Sequence, residues 1–298
     1  MDNNNIQGHL AVFSANVIFG LGVPVTALLL ARWVTPLGYM LARCVGAAAI
    51  FWAISLFLPK ERVAPKDLLV ILFGGLLGFV VSQTLTAWAL VYTTPVYFSL
   101  IATLTPVVTM LLAGLFIGEK ITLYKFVGVV IGVAGAALIV FMGWTAGSGK
   151  NDVLGITLTL LSMVTWAIYL IITRKVSAKY SAVTQMKWFF LVSVVALLPF
   201  AWPELDRQRL LTGSATGAGW MEMGFIIIFA TVAGYFAIPF AMRYLKATTV
   251  SIYTNIQPVV ASFIAIWIGQ DAFSWDKPVA LILVLLSAYW VTSTVKKS

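Results

Sequence analysis

Polar and aromatic side chains at helical spacing are the residues of this sequence with the chemistry to hold a small molecule. Thr84, Trp88 and Tyr92 recur at every fourth position, so they share one face of a helix. Aromatic rings stack on other rings or hold cations over their faces, and buried amides need hydrogen-bond partners. The uncharged residues predicted to form a binding site are Asn16, Gln83, Trp88, Tyr92, Tyr97, Trp166, Tyr169, Tyr235, Tyr253 and Gln257. Taken singly, each is better explained by a bond between helices or by a membrane-interface position, but as a set they indicate an amphiphilic pocket.

Arg43 is the charged residue that lies deepest in an apolar segment, about seven residues from its start, or ~10 Å along a helix. In one interpretation, it also belongs to the binding site and pairs with a carboxylate of the ligand. In the other, its long side chain extends to the lipid headgroups or bonds to carbonyls at a helix end. The sequence alone favours the second interpretation.

Acidic residues are absent from the interiors of the apolar segments. The acids, which all lie in tails, loops or segment ends, are Asp2, Glu61, Asp67, Glu119, Asp152, Glu204, Asp206, Glu222, Asp271 and Asp276. The sequence therefore lacks the embedded carboxylate that commonly exchanges a proton for a cation. Cys44 and His9 are single residues, so we predict no metal, no cofactor and no catalytic centre. A membrane enzyme acting on lipid-linked intermediates stays open as an alternative, because acids at segment ends could serve it.

The composition shows which elements must position these residues. The chain has 298 residues, of which 61% are hydrophobic and only 10% charged, against roughly 25% charged in soluble domains. A bilayer core needs about 20 apolar residues per helix, and only helices or closed barrels satisfy the backbone in lipid. Ten apolar segments of that length are predicted, at about 9–30, 37–58, 67–91, 95–117, 122–143, 153–173, 183–202, 220–243, 247–269 and 277–295. The predicted fold class is an all-α integral membrane protein.

The basic residues predict orientation and partners. The net charge of +9 arises from Lys and Arg in the short gaps between apolar segments, which suits lipid headgroups and not nucleic acid. Most of these residues fall on one side if the N-terminus is cytoplasmic, so both termini are predicted to be cytoplasmic. The predicted partners are a small-molecule substrate and membrane lipids, with the chain as a monomer or weak homo-oligomer.

A repeated pattern divides the chain into two halves. Residues 105–119 read TPVVTMLLAGLFIGE, and residues 257–271, which follow 152 positions later, read QPVVASFIAIWIGQD. Each half, 1–147 and 148–298, then has five segments, and an odd number forces the second half to enter the membrane from the opposite side. Such an inverted repeat is typical of secondary transporters with a central cavity.

Glycines and prolines predict how the helices meet. Gly74, Gly75 and Gly78 let helix backbones approach closely. Pro106 and Pro258 occupy equivalent positions in the two halves and each removes a backbone hydrogen bond. We predict that they are paired hinges; a static kink that widens the cavity explains them equally well.

The first half resembles the repeat of EamA-type transporters in the drug/metabolite transporter superfamily. The resemblance lies in LIATLTPVVTMLLAGLFIGEKITLYKFVGVVIGVAGAALIV and in the Arg of LARCVGAAAIF. The matching residues are Pro106, Gly118, Glu119, Gly128, Gly132, Gly135 and Arg43. The second half departs from the pattern, with Gln270-Asp271 in place of Gly-Glu and VALILVLLSAYW in place of the Gly-rich segment.

This resemblance implies ten helices around a central cavity in the cell inner membrane. It also implies export or uptake of small metabolites, and it is greatest to the amino-acid and metabolite exporters. We therefore expect a secondary transporter that exports small metabolites by alternating access, with neutral and aromatic amino acids as the leading class. A quaternary amine, a cationic drug or another metabolite is the alternative substrate.

Overall fold

The structure is a computed structural model in which the chain is described mainly as helices. It describes residues 3–93, 104–118, 150–212 and 217–267, and the separate positions 98, 101–102, 123, 126–128, 130–131, 134, 275, 279, 282–283 and 286. Within these residues all regular elements are helical, which confirms the all-α prediction. Tyr97, Glu119 and most of the predicted segments 122–143 and 277–295 lie outside the described residues.

Nine helices can be named within the described ranges. They are α1 Asn3–Arg32, α2 Pro36–Leu56, α3 Pro65–Tyr92, α4 Thr105–Ile117, α5 Asp152–Ser177, α6 Ala182–Ala201, α7 Gly217–Tyr244, α8 Ala247–Ile252 and α9 Ile256–Trp267. Six of them, α1 to α3 and α5 to α7, are long and apolar enough to cross a bilayer. The chain is therefore a multi-pass membrane protein.

Helices α3 and α7 share a π-helical interruption at equivalent positions. The π segments are Leu76–Val81 in α3 and Ile226–Ala233 in α7. Each is followed by 11 α-helical residues, Ser82–Tyr92 and Gly234–Tyr244, which are 152 positions apart. A π turn leaves carbonyls without their usual partners and commonly marks a functional site. The two halves therefore agree in backbone detail that hydropathy does not encode.

Glycines in α3 allow α5 and α6 to approach it closely. A methyl group at Gly75 would lie 2.6 Å from the backbone oxygen of Phe189, and one at Gly78 would lie 2.5 Å from the ring of Tyr169. Both distances are shorter than real side chains tolerate. The prediction that these glycines serve close packing is confirmed.

The two predicted hinge prolines begin helices. Pro106 is the second residue of α4, and its missing N–H costs nothing in a first turn. Pro258 is the third residue of α9, which follows the 3₁₀ turn Tyr253–Asn255. In both halves the α-helix is thus interrupted before the proline, and a hinge role at these positions stays a prediction.

Helices α2 and α6 pack against each other in opposite directions, and hydrogen bonds join them at both ends. At the start of α2, Thr35 Oγ1 donates to Glu204 Oε2 at 2.6 Å, just beyond the end of α6. At the start of α6, Ser181 Oγ donates to Glu61 Oε2 at 2.9 Å, just beyond the end of α2. The segments that follow α2 and α6 therefore lie at opposite ends of the helix pair.

The end of the pair near Ser181 carries further polar contacts. Lys179 Nζ lies 3.0 Å from Asp67 Oδ2, a surface ion pair that solvent screens and that adds little to stability. Partial burial acts to raise the pKa of Glu61, but hydrogen bonds from Thr184 and Ser181 outweigh it, and the pKa lies below its ordinary value. Glu61 is therefore a carboxylate at neutral pH.

Candidate functional site

A cavity of about 120 Å³ opens between helices of both halves of the chain. A water molecule needs roughly 10–15 Å³ of such space, so the cavity has room for several waters or a small solute. Its walls are mainly apolar and aromatic, which is typical of ligand sites. Its polar and aromatic lining includes Arg43, Gln83, Ser162, Trp166, Tyr235 and Gln257.

Arg43 projects from α2 into the bundle and lines this cavity. Its side chain is only 4% exposed, so the interpretation in which it extends to the headgroups is wrong. Arg43 Nε donates to Thr231 Oγ1 at 2.8 Å, and Nη1 donates to Gln83 Oε1 at 3.3 Å. The guanidinium carbon lies 5.1 Å from the ring centre of Tyr39 and 5.0 Å from that of Phe79. Hydrogen bonds and ring faces thus hold the cation in place.

The π segment of α7 explains how Thr231 reaches Arg43. The Thr231 hydroxyl donates to the carbonyl of Ile226, five residues earlier, at 2.8 Å. With its proton used in that bond, the hydroxyl oxygen accepts from Arg43 Nε. Phe79, which lies 152 positions before Thr231, is in the π segment of α3 and contacts the same guanidinium. The π segments of both halves therefore meet at Arg43.

An amide bridge joins α1 to α9 beside the cavity. Gln257 Nε2 donates to Asn16 Oδ1 at 2.7 Å, and Asn16 Nδ2 donates to the carbonyl of Val12 at 2.7 Å. Gln257 also lines the cavity, whereas Asn16 is 1% exposed within the helix contact. Nearer the start of α1, His9 Nδ1 and Tyr253 Oη lie 2.8 Å apart. Asn16 and Tyr253 are thus occupied in contacts between helices.

Aromatic rings form a continuous wall from the cavity into the core. Trp166 and Tyr235 line the cavity, with ring centres 5.8 Å apart in an edge-on arrangement. Tyr169 lies behind Trp166 at 5.0 Å and is buried in the core. The hydroxyls of Tyr235 and Tyr169 are both buried without a hydrogen-bond partner among the described residues.

The face of α3 that lines the cavity differs from the stripe of Thr84, Trp88 and Tyr92. Trp88 and Tyr92 stack on each other at 6.1 Å and are half-buried outside the cavity lining. Gln83 and Thr86, on the adjoining face, line the cavity instead. Spacing identifies residues that share a face, but the rotation of the helix decides which face meets the cavity.

Several residues of the site carry no strong sequence signal. Thr231 looks like an ordinary threonine in an apolar run, and only the π segment gives it a partner. Tyr39 is recognisable in hindsight, because it precedes Arg43 by one helical turn. Its hydroxyl lies 2.8 Å from Thr26 Oγ1, and both residues line the cavity. In the part of the chain that the structure describes, no three His, Cys, Asp or Glu side chains are grouped to hold a metal.

A known protein family matches both parts of the chain that line the cavity. The EamA-like transporter family matches the chain twice, over residues 6–141 and 153–293. The chain belongs to the EamA-like transporter family. Arg43 and Gln83 fall in the first EamA match, and Thr231, Tyr235 and Gln257 fall in the second. The cavity is therefore built from both matched regions.

Relatives with curated names agree with this family. An uncharacterized transporter of Archaeoglobus fulgidus is 27% identical over 230 residues, which cover 77% of this chain and 79% of the relative. A protein of Streptantibioticus cattleyicolor named "Probable terminal-alkyne amino-acid exporter" is 24% identical over 211 residues, or 70% of this chain and 68% of the relative. The chain is a transporter of the EamA family.

A protein of known crystal structure has the same fold. The two structures superpose with a TM-score of 0.75 over 97% of this chain and 98% of the other chain. Their sequences are 19% identical, so the likeness concerns the fold alone.

Proposed function

We propose that this protein is a secondary transporter that exports small metabolites by alternating access, with amino acids, including neutral and aromatic ones, as the leading substrate class. The observation that carries the proposal is the cavity around Arg43, to which both family matches contribute side chains. A site between two repeats is where secondary transporters of this construction bind their substrates.

The proposed architecture is ten helices in two inverted repeats, residues 1–147 and 148–298, in the cell inner membrane with both termini cytoplasmic. Three observations support it: the double family match, the paired π segments, and the carboxylate–hydroxyl contacts at opposite ends of α2 and α6. Pro106 and Pro258 follow interruptions of the helix in both halves, which suits paired hinges.

Amino acids are favoured over the cationic alternative by the charge of the cavity. Arg43 would repel a quaternary amine, whereas it would attract the carboxylate of an amino acid. The named exporter of Streptantibioticus cattleyicolor adds support, because the substrate in its name is an amino acid. The rings of Trp166 and Tyr235 provide faces on which an aromatic side chain stacks.

The test is flux in liposomes that contain the purified protein. We expect saturable movement of a labelled neutral or aromatic amino acid, absent from protein-free liposomes. Trp166→Ala and Gln257→Ala should lower the flux while membrane insertion stays unchanged. Absence of flux across a panel of amino acids, amines, sugars and nucleosides would contradict the proposed function.

A further inference from the structure

Arg43 gives the cavity a positive charge that the surrounding residues do not neutralise. None of the described residues that line the cavity is acidic, and the acids of the chain fall in tails, loops or segment ends. The rings of Tyr39 and Phe79 stabilise the cation only in part. A buried charge is costly unless an opposite charge or a full set of hydrogen bonds compensates it. The site is therefore suited to an anionic group.

The hydrogen bonds of Arg43 are also incomplete. A guanidinium has five N–H donors. Nε and Nη1 donate to Thr231 and Gln83, and Nη1 also lies 4.0 Å from the sulfur of Met40. The two N–H groups of Nη2 are thus left without an acceptor among the described residues. The Nε bond fixes the plane of the group, and the two N–H groups of Nη2 diverge within that plane. One oxygen of a carboxylate can therefore accept from Nη2 while its other oxygen accepts from a second donor nearby.

Tyr235 supplies a second unfilled donor at the same place. It is 1% exposed, it lines the cavity, and its hydroxyl has no hydrogen-bond partner among the described residues. The phenol oxygen lies near the Arg43 guanidinium, although the pair falls outside hydrogen-bond geometry. Because a guanidinium can only donate, the phenol O–H stays free to donate to another group. A group that accepts from both side chains would satisfy the buried hydroxyl and the cation together. A carboxylate has the charge and the two oxygens for this.

The described residues that line the cavity offer an ammonium group no opposite charge. The Gln83 carbonyl oxygen is already used by Arg43. The Gln257 amide oxygen and several hydroxyls remain as neutral acceptors, but the described lining residues provide no carboxylate to pair with the charge. The face of Trp166 could hold a cation, but the nearby guanidinium opposes it. The remaining wall includes Phe19, Val23 and Met163, which suits an apolar side chain.

We propose that Arg43 and Tyr235 form a carboxylate subsite, and that the protein selects apolar or aromatic monocarboxylates with or without an α-amino group. This inference rests on the proposed function and names the group of the substrate that is recognised. A carboxylic acid that lacks the amine would bind about as tightly as the corresponding amino acid. The amine without the carboxylate would be rejected.

Three ligands that share a phenyl ring but differ in their charged groups test the carboxylate subsite directly. Binding of 3-phenylpropionate, L-phenylalanine and 2-phenylethylamine is measured by calorimetry on the purified full-length protein in detergent. We expect the two acids to bind with Kd values within about threefold of each other, and the amine to bind at least about 30-fold more weakly. Equal or tighter binding of the amine, or no saturable binding of either acid, would overturn the inference.

Variants identify the groups responsible. Tyr235→Phe removes only an unpartnered hydroxyl, so the variant should fold normally. It should bind both acids about three- to tenfold more weakly. Arg43→Gln should bind the two acids about 30-fold more weakly, and Arg43→Lys should recover part of this affinity because it keeps the charge. Tyr244→Phe and Arg207→Gln, which lie outside the cavity lining, are the matched controls and should bind as the unmodified protein does. Unchanged affinity in Tyr235→Phe would remove its hydroxyl from the site.

Transport separates this inference from the proposed function. If the acids bind as expected but no labelled ligand crosses a liposome membrane, the carboxylate subsite stands and transport of these ligands is refuted. If phenylalanine is transported and 2-phenylethylamine competes with it as well as 3-phenylpropionate does, transport stands and the carboxylate subsite is refuted.

Discussion

Arg43 Nε donates a hydrogen bond of 2.8 Å to Thr231 Oγ1, and this bond joins the two regions that match the EamA family. Thr231 reaches Arg43 because its hydroxyl replaces a helical partner of the Ile226 carbonyl within the π segment. The same oxygen therefore stabilises the irregular backbone of α7 and fixes the cation of α2. A single hydroxyl thus connects the local structure of one half to the electrostatics of the cavity.

Replacing that hydroxyl by a methyl group should destabilise the protein. Thr231→Val keeps the shape of the side chain but leaves Arg43 Nε without an oxygen acceptor in a buried position. We expect the free energy of unfolding to fall by about 1–3 kcal/mol, measured by thermal or denaturant unfolding in detergent. Thr157→Val is the matched control, because Thr157 is exposed and bonds only to the Val153 carbonyl. It should change stability by less than about 0.5 kcal/mol. Equal losses in both variants would contradict this role of Thr231.

Hydropathy was sufficient to predict the long helices, because lipid leaves the backbone few alternatives. The predicted segments 37–58 and 220–243 correspond closely to α2, Pro36–Leu56, and α7, Gly217–Tyr244. The predicted segment 247–269 is instead divided by the 3₁₀ turn Tyr253–Asn255. Such interruptions, like the π segments, depend on hydrogen bonds and packing that an apolar run does not specify.

The types of residue that line the cavity were predictable from the sequence. Which positions line it was less predictable. Gln83, Trp166, Tyr235 and Gln257 line it, as the requirement that polar groups point inward suggests. Asn16 has the same chemistry, but its amide is used by Gln257 and the Val12 carbonyl. Whether an amide meets a ligand or another helix depends on the rotation and neighbours of its helix, which periodicity alone does not give.

Close packing at Gly75 should make even a methyl group destabilising. Gly75→Ala would place the new carbon 2.6 Å from the backbone oxygen of Phe189, which cannot move without shifting α6. We expect a loss of about 1–3 kcal/mol in the free energy of unfolding. Gly224→Ala is the control, because it is also helical and its methyl group would meet nothing within 4 Å. That variant should be neutral or slightly more stable, since alanine favours helices. A stable Gly75→Ala protein would show that α3 and α6 are farther apart.

The amide bridge between α1 and α9 should appear as an energetic coupling. A double-mutant cycle with Asn16→Ala and Gln257→Ala isolates the pairwise contribution from other losses. We expect a coupling of about 0.6 kcal/mol and at most about 1.7 kcal/mol, the mean and the maximum for polar contacts between membrane helices. Asn16→Ala combined with Thr157→Val is the control pair and should be additive. Additivity in the Asn16 and Gln257 cycle would contradict the bridge.

The opposite ends of the α2–α6 pair provide the sharpest test of the proposed inverted topology. Arg62, Ala178 and Arg207 are exposed, with Arg62 and Ala178 near one end of the pair and Arg207 near the other. The native thiol of Cys44 is buried, so single cysteine variants at these positions can be labelled selectively. With a cytoplasmic N-terminus, a membrane-impermeant maleimide should label Arg207→Cys in intact cells. It should label Arg62→Cys and Ala178→Cys only in inside-out vesicles. Labelling of Arg62→Cys and Arg207→Cys from the same side would refute the inverted halves, and with them the proposed alternation of access.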